Sequence, residues 1–140
     1  FRNVTGVQTC ALPIFVVALR DISIARAELG EVERAIAVAS AIPEAPARIK
    51  ALVAIALAQS RANQSVSFAR TIAEVEQVAR ALPGDRGGSL LLAEAATTLA
   101  RSRRTDAGLL LLHAARDLSE QSGDREGELA AVAAALARVG

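Results

Sequence analysis

The chain has 140 residues, 52% of them hydrophobic, with 16 basic side chains against 15 acidic ones and a single cysteine. This composition excludes a disordered chain, a collagen and a disulfide scaffold, and a chain of this length buries roughly two-thirds of its unfolded surface without help from a structural metal. No apolar run reaches the ~20 residues of a membrane helix, so a cytoplasmic protein is expected.

Residues 1–14 stand apart from the rest of the chain. The run Val4-Thr5-Gly6-Val7-Gln8-Thr9-Cys10-Ala11-Leu12-Pro13-Ile14 resembles, position for position, the in-frame translation of a common short-read sequencing-library adaptor. The base left over from that adaptor fits the first position of a Phe codon, as Phe15 requires. The alternative is a signal peptide with Arg2 as its charged end and Ala11 to Leu19 as its apolar core. Against it, Gly6 to Thr9 interpose polar residues and no small-x-small cleavage site follows. On the adaptor reading this segment is non-native and Cys10 leaves any redox or metal argument. From Phe15 onward 15 basic residues then balance 15 acidic ones, which gives no field to steer nucleic acid or anionic lipid. The absence of Met marks the rest as an internal piece of a longer reading frame, and 32 Ala with fifteen Arg to one Lys suggest a GC-rich, bacterial genome.

From Phe15 the spacing of apolar residues predicts helices in pairs. First helices are expected over 15–29, 47–62, 87–101 and 126–139, and second helices over 31–42, 67–82 and 106–121. Gly84-Asp85-Arg86 recurs at Gly123-Asp124-Arg125, 39 residues on, and Arg48-Ile49-Lys50 precedes its counterpart by 38. The small residues Ala35, Ala69 and Gly108 align within the second helices. Leu52, Ile55, Ala56, Gln59 and Ala62 fall on one stripe, and Ile72, Val75, Val78, Ala79 and Leu82 on another. Pro43 and Pro83 stop helices, Gly84 and Gly123 suit the left-handed residue after a helix end, and Asp85, Thr105 and Asp124 are N-cap candidates. The units fall near 15–46, 47–84, 85–123 and 124–140, about three and a half repeats. Hairpins recurring at this period stack into a solenoid.

Gly30-Glu31-Val32-Glu33-Arg34-Ala35-Ile36 resembles the turn and second-helix start of a tetratricopeptide repeat, with fainter versions at Gln64 to Arg70 and Arg103 to Leu109. Val32, Val66 and Thr105 stand where that family has an aromatic, and a HEAT-like array fits the longer period. The resemblance implies an all-α, right-handed αα-hairpin solenoid whose first helices line a concave groove for a partner peptide or helix. On those helices Gln59, Glu94, Thr97, Thr98 and Arg101 break the apolar pattern, and the last four share one face. They are the candidate groove-lining residues. The apolar face of the last helix, Leu129, Val132, Ala133 and Leu136, has no second helix to cover it, so further repeats or domains are expected at both ends.

Other signals are weaker. His113 is the only histidine and has no apparent catalytic partner set among Asp117, Ser119 and Ser122, so neither an enzyme nor a cofactor or metal is expected. Gly84 to Ser89 lacks the strand and Lys of a phosphate loop and reads as an inter-repeat turn, with Arg86 and Arg125 pinning a neighbouring helix end. The cluster Arg101, Arg103 and Arg104 suits a helix C-terminus and lacks the stacking aromatics of a nucleic-acid site. Leu109 to Leu112 span a full circuit of helix, and burial by neighbouring repeats is the favoured reading. The expected function is a protein-interaction or scaffolding segment of a larger protein. The alternative is a sensor segment of a bacterial regulatory or signalling protein that binds a small ligand or nucleic acid.

Overall fold

A computed structural model describes residues 4–83, 87–121, 133–134 and 137–138, with side chains from Ile14 onward. It contains the helices α1 (Val4–Glu28), α2 (Val32–Ser40), α3 (Ala45–Arg61), α4 (Ser65–Arg80), α5 (Gly88–Arg101) and α6 (Thr105–Gln121). No strand occurs among the described residues. The helices pack as the consecutive hairpins α1·α2, α3·α4 and α5·α6; α3 stacks on α1, and α5 on α3. This is the arrangement of a short helical repeat array. Each expected helix from 15 to 121 lies within a few residues of an observed one, except that α1 runs back across Phe15 to Val4. Of the expected 126–139 helix, residues 133–134 and 137–138 are described, and these are helical.

The three turns inside the hairpins are copies of one device. Gly30, Asn63 and Arg103 have φ of 84, 59 and 65°, the left-handed conformation that closes a helix. Each donates its N–H three residues back, to Ala27, Ser60 and Ala100 respectively, and the next residue donates five back, from Glu31 to Arg26, Gln64 to Gln59 and Arg104 to Leu99. These paired bonds form a Schellman motif and satisfy carbonyls that the helix end leaves free. The carbonyls of Glu31, Gln64 and Arg104 then accept from Ala35, Phe68 and Gly108 and start the second helix.

This register corrects three readings of the sequence. The middle counterpart of Ala35 and Gly108 is Phe68 rather than Ala69, because the left-handed residue is Asn63, one position earlier than the motif likeness places it. Arg48 corresponds to Gly88 rather than Arg86: Asn63 and Arg103 are 40 residues apart, whereas similarity between loops gives 38. Thr105 is the first residue of α6, not its cap; Arg104 holds the N-cap position, its carbonyl accepting from Gly108. Gly84, Asp85, Arg86 and the readings at Ser122 to Arg125 lie outside the described residues. The pinning expected of Arg86 and Arg125 therefore lies outside the described residues as well; across the loop between α2 and α3, Arg48 Nε and Nη2 both donate to the Ile42 carbonyl, at 3.0 and 2.7 Å.

Alanine dominates the interior. Among the described residues, fourteen of the 27 buried apolar ones are Ala, so each contributes little area and the helices must lie close. Close approach is explicit at Gly88, where a Cβ would sit 2.7 Å from the Ala79 carbonyl oxygen, and at Gly108, 3.0 Å from that of Ala96. Polar groups cross the same seams: Ser23 Oγ donates to the Ala35 carbonyl at 2.8 Å from a fully buried position. Neighbouring helices bury Leu111 and Leu112 but leave Leu109 and Leu110 41% and 51% exposed, so the four-leucine run is covered on one side only.

Candidate functional site

Glu94, Thr97, Thr98 and Arg101 lie along α5 at helical spacing, and all four border a hollow of about 430 Å³ between α5 and the helical residues Ala134 and Arg138. Leu90 and Ala93 add apolar surface to its lining. Glu94 and Thr98 also border a second hollow, of about 260 Å³, where Leu91 and Ala95 face Pro46, Ile49, Lys50 and Val53 of α3. The two hollows share residues and so form one continuous face running across the first helices.

Its chemistry is set by helix geometry. Thr97 and Thr98 return their hydroxyl hydrogens to the carbonyls of Ala93 and Glu94, at 2.9 and 3.1 Å. Their donors are therefore occupied, leaving methyl groups and oxygen lone pairs. Thr97 is 9% exposed and sits at the base, while Glu94, Thr98 and Arg101 are open to solvent. The charged residues that border it are Lys50, Glu94, Arg101 and Arg138, one carboxylate among three cations.

Gln59 does not join this face. It is 2% exposed, inside the α3–α4 hairpin, where its Oε1 accepts from the Thr71 hydroxyl at 2.8 Å. The polar break in the apolar stripe of α3 is thus a buried hydrogen bond between two helices. Lys50, absent from the sequence candidates, does lie on the face. As the only Lys, four residues before the apolar Ala54 and one turn after Pro46, it breaks the pattern in the same way as Glu94 and is as visible.

The remaining candidates separate. His113 is exposed on α6. The three arginines diverge: Arg101 ends α5, Arg103 takes the left-handed turn, and Arg104 lies over the Phe68 ring, 4.3 Å from its centroid, while reaching Ser60 Oγ and Asp106. A third hollow, of about 440 Å³, runs between α4 and α6 beside Phe68, Ile72, Arg104 and Leu110. Among the described residues, no group of three or more His, Cys, Asp or Glu is placed to hold a metal ion, and no helix is long and apolar enough to cross a membrane. No family model, curated protein or solved structure matches the chain.

Proposed function

We propose that this chain is a protein-interaction or scaffolding segment of a larger protein, built as a right-handed, tetratricopeptide-like or HEAT-like solenoid. Its partner is an extended peptide or amphipathic helix laid across the first helices. The observation that carries this reading is the sharing of Glu94 and Thr98 by two adjoining hollows, which gives one face long enough to follow a chain rather than a single closed pocket. The apolar lining residues take apolar side chains, and Arg101 and Arg138 at one end favour an acidic residue in the partner, a helix-in-groove or extended-peptide mode of recognition.

The test is selection of binders from a displayed peptide library, followed by mapping of amide shift changes on the labelled protein. Enriched peptides are expected to perturb Lys50, Glu94, Thr98 and Arg101. The bulky substitution Thr98→Trp is expected to weaken them by about tenfold or more, a loss of about 1.4 kcal/mol. Peptides that bind but leave α3 and α5 unperturbed would overturn the reading.

A further inference from the structure

The helix-closing turn recurs at Gly30, Asn63 and Arg103, 33 and then 40 residues apart, so each residue around one turn has a counterpart in the others. Two residues before the left-handed position stand Glu28, Arg61 and Arg101, and one residue after it stand Glu31, Gln64 and Arg104. With the left-handed residue itself, the first turn carries two carboxylates, the second one cation and the third three cations. Charge therefore reverses along the edge of the array where the hairpins close.

The two cationic turns touch. Arg104 Nη1 donates to Ser60 Oγ at 3.3 Å, which joins the α5–α6 turn to the end of α3 beside Arg61. Arg61 and Arg101 end α3 and α5, where a cation offsets the helix dipole, but that role does not account for their lack of partners. Arg26 and Arg80 lie in the last turns of α1 and α4, and each is held by a carboxylate, Glu31 at 2.6 Å and Glu76 at 2.8 Å. Arg61, Arg101 and Arg103 are exposed, and among the described residues their side chains form no ion pair or hydrogen bond. Asp106, the nearest acidic residue in sequence, is shared with Arg104 at 3.4 Å. Three unpaired like charges on neighbouring turns raise the local potential and attract an anionic partner.

We propose that this edge binds an acidic segment of the partner peptide, an inference that rests on the peptide-binding reading above. Arg101 both borders the groove and ends α5, so a chain that leaves the first helices by the turn end passes from apolar lining onto Arg61, Arg101 and Arg103. Packed helices lie about 8–10 Å apart, and an extended chain advances about 3.3 Å per residue, so two acidic residues three positions apart span from Arg61 to Arg101. Glu28 and Glu31 repel the same segment at the first turn, which sets its direction: the acidic end lies away from α1. A peptide fits this edge better than a nucleic acid does, because Phe68 is 5% exposed beneath the Arg104 guanidinium and offers no face on which a base could stack.

Amide shift mapping on the 140-residue chain at low salt, with tetraglutamate as the probe, is expected to move Ala62, Asn63, Ser102 and Arg103 and to leave Leu29 and Gly30 in place. The shifts are expected to fade as salt is added. Arg61→Gln and Arg103→Gln combined are expected to weaken tetraglutamate by about fivefold or more, with helicity by circular dichroism unchanged because both positions are exposed. Tetraglutamate that leaves both turns unmoved, or that binds the double variant as well as wild type, overturns the proposal and leaves the peptide-binding reading standing; that reading fails instead if selected peptides miss α3 and α5. An oligothymidylate that binds these turns more tightly than tetraglutamate overturns the proposal as well, in favour of a nucleic acid.

Discussion

Gln59 and Thr71 occupy in the α3–α4 hairpin the positions that Leu99 and Leu111 occupy in α5–α6, forty residues on in each case. One hairpin closes with a buried hydrogen bond of 2.8 Å, the other with two fully buried leucines. Removing one partner of a buried hydrogen bond leaves the other unsatisfied, at about 1–3 kcal/mol, whereas replacing both with apolar groups of similar shape is nearly neutral. Gln59→Leu and Thr71→Leu are therefore each expected to destabilise by about 1–3 kcal/mol. The double variant is expected to return toward wild type, with the third hairpin as its template. Chemical denaturation of the four proteins in a double-mutant cycle measures this; additive losses would mean that the pair is not coupled.

The two close glycines make opposite demands. At Gly88 an added Cβ meets a backbone oxygen at 2.7 Å, and a backbone group cannot swing aside. Gly88→Ala is expected to cost about 1–3 kcal/mol through overpacking and to lower the melting temperature by about 3–8 °C. At Gly108 the approach is 3.0 Å, a few tenths of an ångström from ordinary contact, and Ala gains about 1 kcal/mol of helix propensity over Gly. Gly108→Ala is thus expected to melt close to wild type. Thermal melts that rank the two in the other order would refute the packing argument.

Helix order and bounds are legible in the sequence because Pro43, Gly30 and the apolar spacing act locally, within one or two turns of chain. Register between units is not. It is fixed by a left-handed backbone residue, and Asn63 and Arg103 do not announce that conformation as Gly30 does. The candidate site divides along the same line. Glu94, Thr97, Thr98 and Arg101 share a face of one helix, which spacing alone reveals. Whether Gln59 points at solvent or at Thr71 depends on where α4 sits, and spacing along α3 contains nothing about that. The exposure of Leu109 and Leu110 escapes a reading of the sequence for the same reason: a neighbour's reach is a property of the packed array.

The left-handed positions give a graded prediction. A non-glycine residue there costs roughly 1–2 kcal/mol, and Asn tolerates it better than most. Arg103→Gly is accordingly expected to stabilise the protein by about 0.5–1 kcal/mol, with part of the relief offset by the freedom glycine gains in the unfolded chain. Asn63→Gly should change little, and Gly30→Ala should destabilise by about 1 kcal/mol. Equilibrium unfolding distinguishes the three; a destabilised Arg103→Gly would show that the arginine side chain holds the turn through contacts of its own.

Arg48 joins the end of α2 to α3 across the loop containing Pro43 and Glu44, which is the tie that a short second helix most needs. Both of its donors converge on one carbonyl, that of Ile42, a residue with no exposed surface. Hydrogen bonds from a charged group contribute about 1.5–3 kcal/mol, and a guanidinium presents two donors in a fixed fork where an ammonium presents a single mobile centre. Arg48→Met keeps the aliphatic stem but no donor, and is expected to lose about 1.5–3 kcal/mol. Arg48→Lys is expected to fall between Met and wild type. Denaturant midpoints are the measurement, with slopes held constant to show that the extent of unfolding is unchanged. A Met variant as stable as wild type would mean that packing of the stem, and not the carbonyl it reaches, holds α2 against α3.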